Sequence, residues 1–585
     1  MLPILQIKNL TVEFPGTESV VPALQNFSME LNRGEILAVV GESGSGKSVM
    51  SLALMKLLSK AAVINGGSIL FSPDGKKEIE LLGMEEKKFR PFRGKQLAMI
   101  FQEPITSLNP VMTCGTQISE PIMLHKKLNR RNAKSETLLL LEKVKIDRPA
   151  DAYDKFPHQL SGGQKQRVMI AMAISCNPSI LICDEPTTAL DVLVQKTILD
   201  LLRELCLSET MSMIFITHDL ALAADLADRA LVMFQGRVVE TGSVRELFLH
   251  PKNPYTKGLL MCRPALHVKG DRLPVVSEFL ETNNHERLDI KINRSGYSHP
   301  TPLEVSELPA KNSINTAPVP GEILLRVRDL HVGYSSGKNW IGKEKNWVKA
   351  IEDINFQVFK GETLGLVGAS GCGKTTLGRA LLGLNRPARG RIIYGDNDLL
   401  KMDKETLISF RRNIQIVFQD PYSSLNPRLM IGPALSEPLK IHDSLNLKER
   451  KQRVFELLKK VDLKPEHYNR YPYAFSGGQR QRIVIARALA LNPGFVVFDE
   501  SVSALDVSVQ AQILNLINDL KERLGFTAVF ISHDLSVIRY LCDRVLVMDK
   551  GKIVESGLVE EIYRNPKTTC ARSLIAAIPG NNIQI

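Results

Sequence analysis

Long apolar runs are missing from this 585-residue chain. No stretch approaches the ~18 to 20 uninterrupted apolar residues that a membrane-spanning helix needs. The N-terminus, MLPILQIKNLTVEF, lacks the basic start, apolar middle and small-residue cleavage site of a secretory signal. Both absences predict a chain that stays in the cytoplasm. CxxC pairs are missing too. The eight cysteines are scattered, which predicts reduced thiols and neither structural zinc nor an iron–sulfur cluster. Net charge is +12, but no long Lys/Arg block forms a nucleic-acid arm. The sign is compatible with nucleotide, nucleic acid or a membrane surface and selects none of them. A content of 44% hydrophobic and 24% charged residues is that of an ordinary soluble protein, and the length asks for two to four domains.

Repetition is what the chain does have. Residues 160–191 read LSGGQKQRVMIAMAISCNPSILICDEPTTALD, and residues 475–506 read FSGGQRQRIVIARALALNPGFVVFDESVSALD, in the same order and at the same length. Each copy opens on Ser-Gly-Gly-Gln (Ser161, Gly162, Gly163, Gln164; Ser476, Gly477, Gly478, Gln479), where paired glycines let backbone N–H groups approach an anion. A helix-compatible run follows, closed by Asn177-Pro178 or Asn492-Pro493. Next comes a short apolar strand, Ile180 to Cys183 or Phe495 to Phe498, that reads as buried on both faces. It ends in adjacent acids, Asp184-Glu185 and Asp499-Glu500, at the strand end where open α/β sheets bind ligands. A single acid pair is more often a solvated turn; duplication in register argues against that.

The repeat extends upstream. Strand-like Ile36–Val40 and Thr363–Val367 run into GESGSGKS (Gly41, Glu42, Ser43, Gly44, Ser45, Gly46, Lys47, Ser48) and GASGCGKT (Gly368, Ala369, Ser370, Gly371, Cys372, Gly373, Lys374, Thr375). Both match G-x-x-x-x-G-K-[ST] between a strand and a helix, the context in which the loop wraps phosphates. Lys47 and Lys374 are placed to reach the outer phosphates, and the Ser48 and Thr375 hydroxyls to ligate magnesium. Gln102 and Gln419 each follow a strand, ahead of EPITSLNP and DPYSSLNP. His218 and His533 each follow a final strand, 33 residues beyond the second acid of their own half. The offset between halves is 327 at the glycine loops and 315 at the histidines, so the first half carries extra residues, including the polar hairpin-like stretch 72–83.

Residues 264–320 break the pattern, being polar, proline-bearing and weakly periodic. They read as a connector, either disordered or with a small docked segment around Leu273–Leu280. The expected layout is a first domain over 1–263, a linker over 264–320 and a second domain over 321–585.

The glycine loop, glutamine, SGGQ signature, acid pair, ALD loop and histidine together resemble the ATP-binding cassette (ABC) ATPases over nearly the whole chain outside the connector. That resemblance implies an α/β fold: two P-loop nucleotide-binding domains in tandem, each with a mixed sheet core and a helical subdomain. It also implies two cassettes packed head to tail around two ATP molecules. Site one would use Lys47, Ser48, Gln102, Asp184, Glu185 and His218, closed by Ser476, Gly477, Gly478 and Gln479. Site two would use Lys374, Thr375, Gln419, Asp499, Glu500 and His533, closed by Ser161, Gly162, Gly163 and Gln164. Mg2+ would lie on Ser48, Gln102 and Asp184 in one site and on Thr375, Gln419 and Asp499 in the other. Glu185 and Glu500 would polarise the attacking water, His218 and His533 would report the γ-phosphate, and adenine would stack on Phe14 or Tyr334.

A narrower likeness is to the dipeptide/oligopeptide (peptide, nickel, glutathione) importer branch. It rests on TSLNP and SSLNP, PHQLSGGQ, DEPTTALDVLVQ, ISHDLSVIRYLCDRVLVM and the tails NPYTKGLLMCRP and NPKTTCARSLIAAIP. Ser501 stands where Pro is usual and Phe475 where Leu is commoner, and the cysteine-rich tail of some relatives is absent. The implied protein is the ATP-hydrolysing subunit of a peptide importer, peripheral on the cytoplasmic face of the membrane. Its partners would be two transmembrane permeases and, indirectly, a periplasmic or extracellular substrate-binding protein, with no nucleic acid. Two alternatives stand beside it. A twin-cassette ATPase acting on ribosomes or DNA would carry a charged helical arm or zinc-binding cysteines. A fused sugar or metal importer ATPase typically has one degenerate cassette, whereas every motif here is intact twice.

Overall fold

A computed structural model describes residues 2–16, 20–188, 190–280, 321–335, 347–443 and 445–580. In the first half, strand Leu5–Pro15 lies between Val20–Leu31 and Val63–Phe71 in an antiparallel four-stranded sheet closed by Ile79–Glu80. A six-stranded sheet holds, in order, Arg237–Ser243, Arg229–Phe234, Ile36–Val40, Ser212–Thr217, Ile180–Asp184 and Leu97–Ile100. The last five are parallel, and Arg237–Ser243 pairs antiparallel on one edge. Ile36–Val40 and Ile180–Asp184 are buried at every residue, as expected of strands covered on both faces. The second half repeats both sheets, with Thr363–Gly368 central between Thr527–Ile531 and Arg544–Asp549. The fold is α/β, with a mixed sheet core in each of two tandem halves.

Parallel order places the chemistry. Val40, Thr217 and Asp184 end three adjacent strands on the same edge, so the glycine loop, His218 and Glu185 leave side by side. The hairpin at 63–80 accounts for part of the first half's excess. Seven residues separate Val63–Phe71 from Ile79–Glu80, against two between Arg389–Tyr394 and Asn397–Asp398.

Helices Cys114–Lys126, Arg130–Lys143 and Pro149–Asp154 form the helical subdomain of the first half, beside the start of Gly162–Ile174. Thr113, Asn129 and Ser161 cap three of these helices, each accepting an otherwise unpaired backbone N–H. Ile431–His442, Leu447–Lys460 and Gly477–Ala488 repeat the arrangement.

The halves share one continuous apolar cluster, which contains Leu222 and Tyr255 of the first and Val502 and Ile578 of the second. Each half also sends a tail onto the other. In the first connector stretch, Leu273 is fully buried and exchanges two hydrogen bonds with the Asn515 side chain (3.0 and 2.8 Å), while Tyr540 donates to the Asp271 carbonyl (2.8 Å). Helix Val276–Phe279 then packs back on Gly258 of the first half. In return, Arg263 donates to the Pro579 carbonyl (2.7 Å) and Lys196 to that of Ala576 (2.8 Å). Residues 281–320 of the connector lie outside the described residues. Among the described residues no helix is long and apolar enough to cross a membrane.

Candidate active sites

The backbones of the glycine loops are tightly constrained. Gly46 and Gly373 cap the following helices at φ 102° and 107°, in the left-handed region, and a Cβ there would meet the Ala23 or Ala350 carbonyl at 2.5 or 2.8 Å. Lys47 curls back, donating to the Gly41 and Glu42 carbonyls (2.7 and 2.9 Å); Lys374 does the same to Gly368 and Ala369 (2.8 and 3.1 Å). Burial lowers the Lys47 pKa against the pull of Glu185, Asp506 and Asp184. Each ammonium is thus held at the loop by backbone carbonyls, with the glutamate of its own half at 3.9 Å for Lys47 and 3.7 Å for Lys374, where it can turn to an anion.

The hydroxyl beside each lysine reaches the strand-end aspartate: Ser48 Oγ donates to Asp184 Oδ1 (3.1 Å) and Thr375 Oγ1 to Asp499 Oδ1 (3.0 Å). Burial raises the pKa of both aspartates, and the neighbouring glutamate adds to the effect. A hydroxyl and a carboxylate short of positive charge form a donor set that fits a hard divalent cation shared with substrate phosphates. Among the described residues no group of three His, Cys, Asp or Glu side chains could hold a metal.

Glu185 and Glu500 share a strained backbone, each at φ 46°, and each N–H is tied to the neighbouring strand at the Ile216 or Ile531 carbonyl (3.0 Å). A left-handed non-glycine residue costs about 1–3 kcal/mol and persists where its surroundings fix it. Glu185 Oε2 accepts from Gln102 Nε2 (3.1 Å) and Thr188 Oγ1 (3.0 Å), and His218 Nδ1 stands 3.4 Å away. In the second half Gln419 Nε2 donates to Glu500 Oε2 (2.8 Å), with His533 Nδ1 at 3.6 Å. Each glutamine therefore meets the glutamate, and its hydrogen bond does not go to the Ser48–Asp184 or Thr375–Asp499 pair.

Burial alone would lower the His218 pKa, but Glu185, Asp506 and Asp219 raise it above the usual imidazole value. Burial would raise Glu185, but His218 and Lys47 bring it below the usual carboxylate value. A raised histidine stabilises the fold fully below about pH 6.5 and loses that contribution as pH climbs through its folded pKa. A lowered glutamate contributes above about pH 4.5 and loses it as pH falls. The pair is therefore strongest between those limits. Histidine-selective NMR of the nucleotide-free chain is expected to find His218 titrating above 6.5 and to find that pKa reduced in Glu185→Gln; no change on substitution would contradict the pairing.

Across the halves, two residues reach further than their motif suggested. Asp506 of the second ALD loop accepts from Ser43 N and Ser43 Oγ (both 3.1 Å) and lies 3.8 Å from His218 Nδ1. Asp191 of the first accepts from Ser370 N at 3.3 Å. Each glycine loop is thus touched by the other half. The signature side chains stay local: Ser161 with Gln164, and Ser476 with Gln479, close capping boxes at their own helix starts. Their glycines differ in surroundings. A Cβ on Gly163 or Gly478 would strike Val194 or Val509 (2.7 and 2.4 Å), whereas one on Gly162 or Gly477 would meet only a leucine at ordinary distance (3.7 and 3.9 Å). Phe14 packs half-buried against the first core, while Tyr334 is 47% exposed and its hydroxyl bonds Thr376 (3.1 Å) and Asn385 (2.9 Å).

Two phosphate loops at matching strand ends, each reached by the opposite half, define a twin nucleotide-binding ATPase. The family model described as ABC transporter matches residues 24–188 and 351–503, and the chain belongs to that family. It is an ATP-hydrolysing protein with two cassettes. It is 45% identical over 584 residues to the glutathione import ATP-binding protein GsiA of Pectobacterium atrosepticum, spanning 99% of this chain and 90% of that protein. The GsiA of Escherichia coli (strain K12) is also 45% identical, over 98% of this chain and 89% of its own length. Among solved structures, the dimeric bacterial ABC transporter cassette MJ0796 covers 40% of the chain at 28% identity and a TM-score of 0.37.

Proposed function

We propose that this chain energises an importer, using ATP held at two composite sites as a clamp between its halves, with a small peptide such as glutathione as cargo. The observation that carries the clamp is reciprocal: Asp506 bonds Ser43 and Asp191 bonds Ser370, so nucleotide in either loop lies at the seam. Similarity to glutathione import ATP-binding proteins over 99% of the chain supports the cargo class and favours transport over ribosome or DNA action. We place the cassettes at 1–263 and 321–585, two membrane permeases as partners, and association with the cytoplasmic face through them.

Phosphoryl transfer needs charge neutralisation and an aligned water. Lys47 and Lys374 leave the loop carbonyls for the outer phosphate oxygens. Ser48 and Asp184, or Thr375 and Asp499, would hold a magnesium ion, which would supply neutralisation of phosphate charge. Glu185 and Glu500 accept the proton of the attacking water, each freed for it as Gln102 or Gln419 turns toward the γ-phosphate. His218 and His533 follow that phosphate, and Ser476–Gln479 and Ser161–Gln164 close over it from the opposite half. Loss of the phosphate loosens the clamp.

Co-reconstitution with the permeases and binding protein into proteoliposomes tests the reading. Glutathione or short peptides are expected to stimulate ATP hydrolysis and to accumulate inside, and the chain is expected to float with liposomes only when permeases are present. Salt-resistant flotation with protein-free liposomes, or hydrolysis indifferent to every peptide, would overturn it.

A further inference from the structure

The two composite sites differ at three positions that meet in space. In site one, Glu42 N–H donates to the hydroxyl of Tyr255 (3.0 Å), and the Glu42 carboxylate accepts a hydrogen bond from Ser508 of the other half. Burial and the Glu42 charge both push the Tyr255 phenol up, so it stays neutral and serves as the loop's fixed acceptor. At the offsets that align the halves, the counterparts of Glu42, Ser508 and Tyr255 are Ala369, Leu193 and Cys570. Neither Ala369 nor Leu193 has a polar side chain to bridge the seam. Ser508 is 2% exposed, so its hydroxyl depends on Glu42 for a partner.

The ALD aspartates follow the same division. Asp506 makes no side-chain cap on its own helix and spends both oxygens on Ser43. Asp191 keeps its cap on Val194 N (2.9 Å) and gives Ser370 one longer contact. Among the described residues, parting the halves at site one therefore breaks three hydrogen bonds to carboxylates, and parting them at site two breaks one. Bonds to charged acceptors are the stronger kind.

We propose that Glu42 and Ser508 are positioning residues that latch site one, so that it stays engaged while site two opens and exchanges nucleotide first. The inference rests on the two-site reading above and adds an order to it. The full chain, loaded in the dark with an azido-ATP analogue, chased with unlabelled ATP for increasing times, then irradiated and mapped by peptide, reads release at the Lys47 and Lys374 loops separately. Release at the Lys47 loop is expected to be about tenfold slower in the wild-type chain, the scale of one charge-assisted hydrogen bond. Glu42→Ala and Ser508→Leu should each narrow the difference between the two rates, while Glu42→Gln, which keeps an acceptor oxygen but not its charge, should retain only part of what Glu42→Ala removes. The reverse pair, Ala369→Glu with Leu193→Ser, should slow release at the Lys374 loop. Equal release in the wild type, or equal acceleration of both sites by Glu42→Ala, would overturn the latch. Absence of label from both loops would overturn the two-site reading itself.

Discussion

Glu185→Gln and Glu500→Gln are each expected to reduce ATP turnover of the assembled transporter by about 100-fold or more, the range for removing a general base. Each glutamate lies just beyond a buried strand-end aspartate and within 3.9 and 3.7 Å respectively of the loop lysine of its own half. The amide keeps the shape and still accepts from Gln102 or Gln419, so ATP binding should survive while proton acceptance from water is lost. Both single variants should fail because the halves are coupled through Asp506 and Asp191: one stalled site holds the seam shut for the other. Steady-state hydrolysis alongside ATP affinity is the check. Wild-type turnover in either variant would mean that one site is not catalytic.

Substitution of Gly477 by valine is expected to weaken ATP trapping at the Lys47 site by at least tenfold without unfolding the second cassette. A Cβ at Gly477 has only Leu505 Cδ2 nearby, at 3.9 Å, so the helix tolerates it; under the proposed pairing the side chain would instead block the approach of this backbone to the phosphate on the opposite loop. Gly478 provides the contrast. A side chain there drives into Val509 at 2.4 Å, and Gly478→Val should destabilise the cassette by about 1–3 kcal/mol through overpacking. Trapping and thermal unfolding, measured together, separate the two. Gly162 should behave toward the Lys374 site as Gly477 does toward Lys47. Trapping lost only at the Lys374 site in Gly477→Val would reverse the proposed pairing.

Motif residues at strand ends were legible because parallel order forces them together: once Ile36–Val40 and Ile180–Asp184 are read as buried strands, Lys47 and Glu185 must lie at one edge. The polar stretch 72–83 was legible as a hairpin-like insertion; it supplies the turn and the second strand, which pairs with Val63–Phe71. What escaped were the residues whose meaning depends on the other half. Asp506 and Asp191 sit in matching ALD triplets, yet one turns outward to Ser43 and the other caps its helix. Glu42 and Tyr255 are far apart in sequence and meet only when the first half folds, and Ser508 reaches Glu42 only when the halves pack. The double hydrogen bond of Asn515 to Leu273 was hidden likewise, because a polar connector gives no periodic signal of where it docks.

Under the proposed function each ATP is held by both halves of a single chain. A cryo-EM structure of the Glu185→Gln, Glu500→Gln chain with its permeases and ATP tests it most directly. Two nucleotides per chain are expected, the one on Lys47 met by the backbone of Ser476 and Gly477 and the one on Lys374 by that of Ser161 and Gly162. Nucleotides met by the signature of their own half, or by that of a second copy of the chain, would contradict it.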